Sequence, residues 1–166
     1  MKNDTMCYLR ERGGILLLYR NGGKEDLHNG FYVPPGGGIK PGEIGIEGII
    51  REFKEETGLK LMNPKLKFIV TFDNTGRLLG GRTDREDHLV QTYVASIYNG
   101  DLKVEKGKNA YPVWLPESDL LRANSKIKMY PGDRELLKLI DREGVFEVLQ
   151  QYRWESLTRF KYERVD

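Results

Sequence analysis

The sequence predicts an α/β fold. Three observations carry that expectation. Short apolar runs bounded by Gly and Pro alternate with stretches of helical period. One of those stretches, at 45–57, has a continuous apolar face. The chain of 166 residues also has no linker long enough to divide it, so residues 1–166 are expected to form one domain. A chain of this length hides roughly 68–70% of its unfolded surface, enough for a core without staples.

The elements follow in order. The early residues around Cys7 are apolar and extended. GILLLYR at 14–20 lies between Gly-rich turns and reads as a strand. The segment at 31–33 is extended and stops at Pro34-Pro35, which cannot continue a helix. Gly36, Gly37 and Gly38 then give three permissive backbone positions. The helix at 45–57 ends at Gly58, a helix stop. Strands are expected at 67–72 and 88–97, the second closing at an Asn99-Gly100 turn. AYPVWL at 110–115 is a further strand, placed at an edge or bulge by Pro112. Short helices are expected at 117–122 and 133–141, and a last strand at 157–162.

Composition narrows the function. Hydrophobic residues make up 39% and charged residues 31%, too apolar and too clearly blocked for a disordered chain. No apolar run approaches the ~20 residues that span a bilayer, so no membrane partner is expected. The first ten residues hold no signal-peptide apolar region. The single Cys7 cannot form an internal disulfide, fits a cytoplasmic setting, and reads as a buried packing residue. The net charge of +2 gives no reason to expect a stable nucleic-acid partner. Its distribution is uneven. Residues 43–56 carry five glutamates against Arg51 and Lys54, net −3, which leaves +5 on the rest. A compact acidic cluster in a mildly basic chain suits a cation site beside an anion site.

On a helical wheel, Ile46, Ile49, Ile50, Phe53 and Thr57 share one face, which should pack on the sheet. Glu52, Glu55 and Glu56 share a neighbouring arc at i, i+3 and i+4, and Gly45 and Gly48 lie on it one or two turns earlier. That arc is therefore expected to be bare and open to close approach. Like charges at this spacing cost about 0.2–0.5 kcal/mol per pair. A hard divalent cation would offset the repulsion, since carboxylate and carbonyl oxygens suit Mg²⁺ or Mn²⁺. On general grounds alone a solvated acidic face is the commoner arrangement.

The surrounding residues reverse that weighting. From Gly37 to Leu59 the chain reads GGIKPGEIGIEGIIREFKEETGL. This resembles the signature box of the Nudix hydrolases: Gly, five residues, Glu, seven residues, then Arg-Glu-apolar-any-Glu-Glu-any-Gly-apolar. Gly37, Glu43, Arg51, Glu52, Phe53, Glu55, Glu56, Gly58 and Leu59 meet every fixed position. By chance such a match arises on the order of once in a million chains of this size at average residue frequencies. The resemblance implies an α/β/α sandwich with a mixed β-sheet between helices, and a box folded as loop–helix–loop. It implies metal-dependent hydrolysis of a nucleoside diphosphate linked to another group. Glu52, Glu55 and Glu56 would be metal ligands or the water-activating base, joined by the carbonyl of Gly37 or Gly36. Arg51 would orient the glutamates, and Glu43 would hold the loop to the helix.

The chain also resembles the MutT-like branch, whose substrates are (deoxy)nucleoside triphosphates, oxidised guanine nucleotides among them. The segment Met129-Tyr130-Pro131-Gly132-Asp133 carries that likeness. It makes Asp133 a candidate for reading a base edge, against an N-cap role for the late helix, and Tyr130 a candidate for stacking on a base, against plain packing. Arg20 is a phosphate candidate, as is the basic run of Arg122, Lys126, Lys128 and Arg134, which otherwise reads as a solvated loop. Glu105, Asn109, Asp84, Glu86 and Asp87 are candidates for an extra ligand from outside the box; Asn109 stands where some relatives place a glutamate. His28 and His88 are given no part. The residues at 74–77 lack the proline and tyrosine often found there in ADP-ribose and dinucleoside polyphosphate hydrolases. Cleavage of ADP-ribose or a nucleotide sugar, removal of phosphates from an RNA 5′ end, and nucleotide sensing without catalysis remain as alternatives. The sequence leaves a homodimer open.

Overall fold

The computed structural model describes residues 1–26, 28–73, 77–79, 82–84, 87–105, 109–153 and 156–166, with the strands at 77–79 and 82–84 as backbone only. In chain order the elements are β1 (Lys2–Glu11), β2 (Gly14–Arg20), β3 (Tyr32–Val33), β4 (Gly36–Gly38), α1 (Gly45–Thr57), β5 (Lys60–Met62), β6 (Lys65–Asp73), β7 (Arg77–Leu79) and β8 (Arg82–Asp84). They continue with β9 (His88–Ala95), β10 (Ile97–Asn99), β11 (Ala110–Pro116), α2 (Glu117–Leu121), α3 (Pro131–Leu139), β12 (Phe146–Arg153) and β13 (Ser156–Arg164). The main sheet runs β11-β2-β1-β9-β6-β12-β13, with β3 added to β2 and β4 to β1. It is mixed: β1 with β9 and β6 with β12 are parallel, and the other pairs are antiparallel.

Alternation along the strands builds a core on each face of the sheet. Cys7, Leu9, Leu16 and Tyr93 pack under Ile49 and Phe53 of α1. Tyr8, Ile15 and Leu17 pack with Leu120 of α2 and Leu137 of α3. Phe68, Val70, Val90, Phe146 and Val148 pack with Leu136 and Leu139 of α3. Each fully buried side chain of this size contributes about 1.5–3 kcal/mol. The register between β6 and β9 shifts between Leu66 and Phe68, a bulge that turns Leu66 to the α1 side and Phe68 to the α3 side. The result is an α/β/α arrangement, with the mixed sheet between α1 on one face and α2 and α3 on the other.

Several boundaries differ from expectation. The strand expected at 88–97 breaks at Ser96 into β9 and β10, because β10 leaves the main sheet to pair with β5. The expected helix at 133–141 starts two residues earlier, at Pro131, which suits a first helical position. β12 was not expected. Its burial alternates cleanly, but its third inward residue is a buried glutamine, Gln150, which breaks the apolar pattern. Pro112 lies on β11, an outer strand of the sheet.

Candidate active site

The site is built where α1 meets β4. Helix α1 ends at Gly58, whose φ of 81° lies in the left-handed region and whose N–H donates to the Lys54 carbonyl at 2.9 Å. Strand β4 pairs with β1, Thr5 opposite Gly37 and Met6 opposite Gly36. The approach is so close that a Cβ on Gly36 would collide with the Thr5 carbonyl and stand 2.7 Å from Met6 Cα. The Glu52 carboxylate lies over Gly37: a Cβ there would stand 2.7 Å from Glu52 Cδ and 2.8 Å from its Oε2. The Gly36 N–H donates to Glu56 Oε2 at 2.9 Å. Two carboxylates of α1 are thus held against two glycines of β4.

Arg51 organises the outer side. Its Nε and Nη2 donate to Glu43 Oε1 and Oε2 at 2.8 and 2.9 Å. Nη2 also reaches the Gly38 carbonyl at 3.0 Å, and Nη1 reaches Glu52 Oε1 at 2.5 Å and Glu55 Oε2 at 3.5 Å. Glu43 Oε2 accepts from the Lys40 N–H at 2.9 Å, so loop, strand and helix share one guanidinium. Arg51 and the Lys40 N–H hold the Glu43 carboxyl down at about 2, and Glu43 in turn raises the Arg51 guanidinium above its usual range. Burial pushes Glu56 up to about 7; the Gly36 N–H opposes this, Glu52 adds to it, Arg20 opposes it and Glu55 adds to it.

Beside these carboxylates opens a cleft of about 330 Å³ that includes Arg20, His28, Gly36, Gly37, Glu56, Tyr130 and Asp133 in its lining. Its floor is the α3 face of the sheet, with Met6, Phe72 and Val90. Tyr130 stacks on Phe31 with ring centroids 4.4 Å apart and shares a 2.5 Å hydrogen bond with His28 Nδ1. Lys128 Nζ lies 4.3 Å above the Phe31 ring. Arg20 pairs with Asp26 at 3.0 Å; burial works against the Asp26 charge, but Arg20 and the His28 N–H hold its carboxyl below the usual range. Asp133 is buried, and it is not the N-cap of α3: Tyr130 holds that position, and Asp133 stands in the first turn.

The comparisons with known proteins point to one family. The NUDIX domain model matches residues 2–140. The chain belongs to the Nudix family. A relative, the uncharacterized Nudix hydrolase YvcI of Bacillus subtilis (strain 168), is 30% identical over 137 residues, which are 82% of this chain and 77% of that protein. Among solved structures, a mutator MutT protein from Bacillus halodurans superposes with a TM-score of 0.79 at 22% identity, covering 98% of both chains. A MutT protein from Methanosarcina mazei Go1 superposes at 0.65, with 22% identity over 85% of this chain and 93% of that one. The chain is accordingly a pyrophosphohydrolase acting on nucleoside diphosphate-linked substrates, in a family that uses divalent ions.

The donor set of the Nudix helix fits such an ion. Glu52 and Glu56 offer hard oxygens next to the Gly36–Gly37 backbone, where Glu52 disfavours the charge on Glu56 and Arg20 opposes that effect. The ligand set is not closed up. Among the described residues no three His, Cys, Asp or Glu side chains form a ready cage. Arg51 draws Glu52 outward, and Glu55 is exposed. Glycines 45 and 48 depart from expectation: both are buried, because Gln91 and Tyr93 fill the space a Cβ would take at Gly45, and the Glu43 carboxylate and Thr5 stand against Gly48. Their bare backbone serves close packing against the sheet and, at Gly48, against Glu43.

Other candidates fall elsewhere. The basic run is divided: Arg134 bonds the Leu120 and Ile127 carbonyls, Arg122 pairs with Asp119 at the surface, and Lys126 and Lys128 are exposed. Glu105 is exposed, and the Asn109 carbonyl accepts from the Asn21 N–H at 2.7 Å. Glu86, the side chain of Asp84 and residues 74–76 lie outside the described residues. The Asp87 carbonyl accepts from the Lys2 N–H at 2.9 Å. Cys7 is fully buried, and burial raises its thiol far above the usual range. Sequence reasoning missed His28, Phe31, and the pair of His88 Nδ1 and Asp4 Oδ2 at 2.5 Å, all but Phe31 in the cleft lining. Isolated histidines give no local signal; only the pairing of β1 with β9 brings Asp4 and His88 together.

Among the described residues no helix is long and apolar enough to cross a membrane.

Proposed function

We propose that this Nudix enzyme hydrolyses a nucleoside triphosphate, with a guanine-type base preferred, to the monophosphate and pyrophosphate, using Mg²⁺ (Mn²⁺ as substitute). The observation that carries the reading is the shared cleft: Glu56 and Gly37 line one part of it, and Tyr130 and Asp133 another. Triphosphate and base of one nucleotide would each meet a suitable group there. A carboxylate accepts and does not donate. Asp133 therefore selects a base edge with adjacent N–H donors, as guanine has and cytosine and thymine lack. Oxidation at the far side of the ring leaves that edge intact, so an 8-oxo-guanine nucleotide fits equally.

In the reaction one water is consumed and one P–O–P bond breaks. A bound divalent ion supplies charge neutralisation at the phosphate oxygens and a more acidic water. The chain's own residues do the positioning on which phosphoryl chemistry depends. Arg51 fixes Glu52 and Glu43, the Gly36 N–H fixes Glu56, Gly37 offers its carbonyl, and Arg20 stands where a phosphate oxygen would arrive. Gly58 ends the helix that presents the three glutamates. A cytoplasmic setting and a homodimer belong to this reading as expectations.

The test is a chromatographic product assay of wild type and Glu56→Gln with Mg²⁺. The panel holds normal and oxidised nucleoside triphosphates, ADP-ribose, a nucleotide sugar and a triphosphorylated short RNA. Monophosphate and pyrophosphate should appear from guanine triphosphates, with kcat reduced at least about a hundredfold in the variant. Product from ADP-ribose or the RNA alone would replace this substrate reading, and near-normal turnover by folded Glu56→Gln would remove Glu56 from the metal site. Ligand-induced stabilisation without product from any substrate would identify a sensor.

A further inference from the structure

Both functional helices sit on the sheet through the same three-part device. In α1 the glycine is Gly45. A Cβ there would overlap Gln91 Oε1 and stand 3.0 Å from Tyr93 Oη, and the Tyr93 O–H donates to Gln91 Oε1 at 3.0 Å. In α3 the glycine is Gly132. A Cβ there would overlap Gln150 Oε1 and stand 2.5 Å from Tyr152 Oη, and the Tyr152 O–H donates to Gln150 Oε1 at 3.1 Å. Each pair is Gln-x-Tyr on one strand, so both side chains point to the same face of the sheet. The first pair, on β9, faces α1; the second, on β12, faces α3. At the second seat the Gly132 N–H also donates to Tyr152 Oη at 3.0 Å, satisfying one of the donors that a helix N-terminus leaves without an intrahelical partner. Gln150 is fully buried and Tyr152 nearly so.

The two seats differ in their place along the chain. The family match ends at residue 140, before β12 begins at Phe146. The seat of the glutamate-bearing helix is therefore inside the family-matched region, and the seat of the Tyr130–Asp133 segment comes after it.

We infer that the hairpin β12–β13 is a specificity element, in which Gln150 and Tyr152 are positioning residues that seat Gly132 and thereby fix Tyr130 and Asp133 against the base. This rests on the reading of Asp133 as the base-facing group. The physical reason is directness. Gly132 separates the ring that walls the cleft from the carboxylate that lines it, so a shift of Gly132 moves both. The Tyr8 hydroxyl of β1 is raised first by burial and then by the nearby Asp133 carboxylate. Asp133 stands in the first turn of the helix whose depth on the sheet β12 sets.

The two seats make a matched experiment. Tyr152→Phe removes the oxygen under Gly132, and Gln150→Met, of similar volume, removes the acceptor that orients that oxygen. Tyr93→Phe is the counterpart under α1, and Asp133→Asn tests the base reading itself. For each folded protein, kcat and KM are measured with the four deoxynucleoside triphosphates in Mg²⁺, and hydrogen exchange of the Gly132 amide is followed. In Tyr152→Phe the Gly132 amide should exchange about tenfold faster or more. The spread of kcat/KM across bases should shrink at least about fivefold through KM, with kcat held within about twofold. Tyr93→Phe should lower turnover of all four alike and leave their ranking intact.

A Tyr152→Phe or Gln150→Met protein that keeps the wild-type ranking, or loses the same factor on every base, overturns the inference. If Asp133→Asn flattens the ranking and both β12 variants keep it, the seat alone is wrong. If Asp133→Asn keeps the ranking, the base reading fails and takes the seat with it.

Discussion

At the scale of single residues, Glu56 stands out for its proton. Its carboxyl is raised from an ordinary value of 4.5 to about 7, first by burial and then by Glu52 and Glu55. Between those two values the folded chain keeps a proton that the unfolded chain has lost. The stability this contributes is fully present below the unfolded value of 4.5 and is lost as pH rises through about 7. Glu56→Gln can still accept from the Gly36 N–H and never ionises. In chelator, wild type should therefore lose melting temperature relative to Glu56→Gln between about pH 5 and about pH 8. Adding Mg²⁺ at the upper end should stabilise wild type more than the variant. Parallel melting curves across that range would show that burial does not act on this carboxyl. Glu43 behaves oppositely, since Arg51 holds it down at about 2 and its contribution is lost only as pH falls through that value. The spacing of the glutamates was legible in the sequence, because a helix maps spacing directly onto a face. Their proton affinities were not. They depend on Gly36, twenty residues away, and on depth, which no local pattern encodes.

At the scale of elements, the Gly36–Gly38 run shows how pairing separates residues that look alike. Gly36 lies against β1, where a Cβ would meet the Thr5 carbonyl and Met6 Cα. Gly38 is exposed, and a Cβ there would find only Asp4 Oδ1 at 3.8 Å, an ordinary contact. Gly36→Ala should cost about 1–3 kcal/mol, as forced overpacking does, and should lower turnover by moving the N–H that holds Glu56. Gly38→Ala should fall within about 0.5 kcal/mol of wild type, as surface changes do. Urea denaturation and steady-state turnover of the pair decide it, and equal effects would mean that β4 does not approach β1 as described. The same logic explains which elements were readable. Helix α1 announced itself through its own period and its Gly58 stop. The parallel pairing of β1 with β9, the departure of β10 to join β5, and the docking of β12 on β6 are contacts between distant segments, and a strand's sequence does not name its partner. The role of Asp133 turned on one such boundary, since a helix starting at Pro131 removes it from the cap position.

At the scale of the whole molecule, the sheet divides the core in two, and the hairpin at its end belongs to one half only. Phe146 and Val148 of β12 pack with Leu136 and Leu139 of α3, whereas α1 packs on the opposite face with Ile49 and Phe53. An extension that follows the family-matched region could be an appendage that unfolds alone. The packing argues otherwise, because Phe146 is nearly fully buried, lies 6.3 Å from the ring of Phe68 in the interior of the sheet, and is covered by Lys67 Nζ at 5.2 Å. Removing it opens a cavity shared by β6, β12 and α3. Phe146→Ala should therefore cost about 3–5 kcal/mol, and the loss should fall on the entire fold. In a Trp154→Phe background, which leaves Trp114 as the single tryptophan, fluorescence and far-UV circular dichroism should shift together to one lower denaturation midpoint, as a single cooperative transition requires. Trp114 packs on the α1-side core, so its signal reports the half of the molecule that Phe146 does not touch. Two separated transitions, with the Trp114 half unmoved, would instead make the hairpin an independent unit, and would detach the seat of α3 from the stability of the glutamate helix.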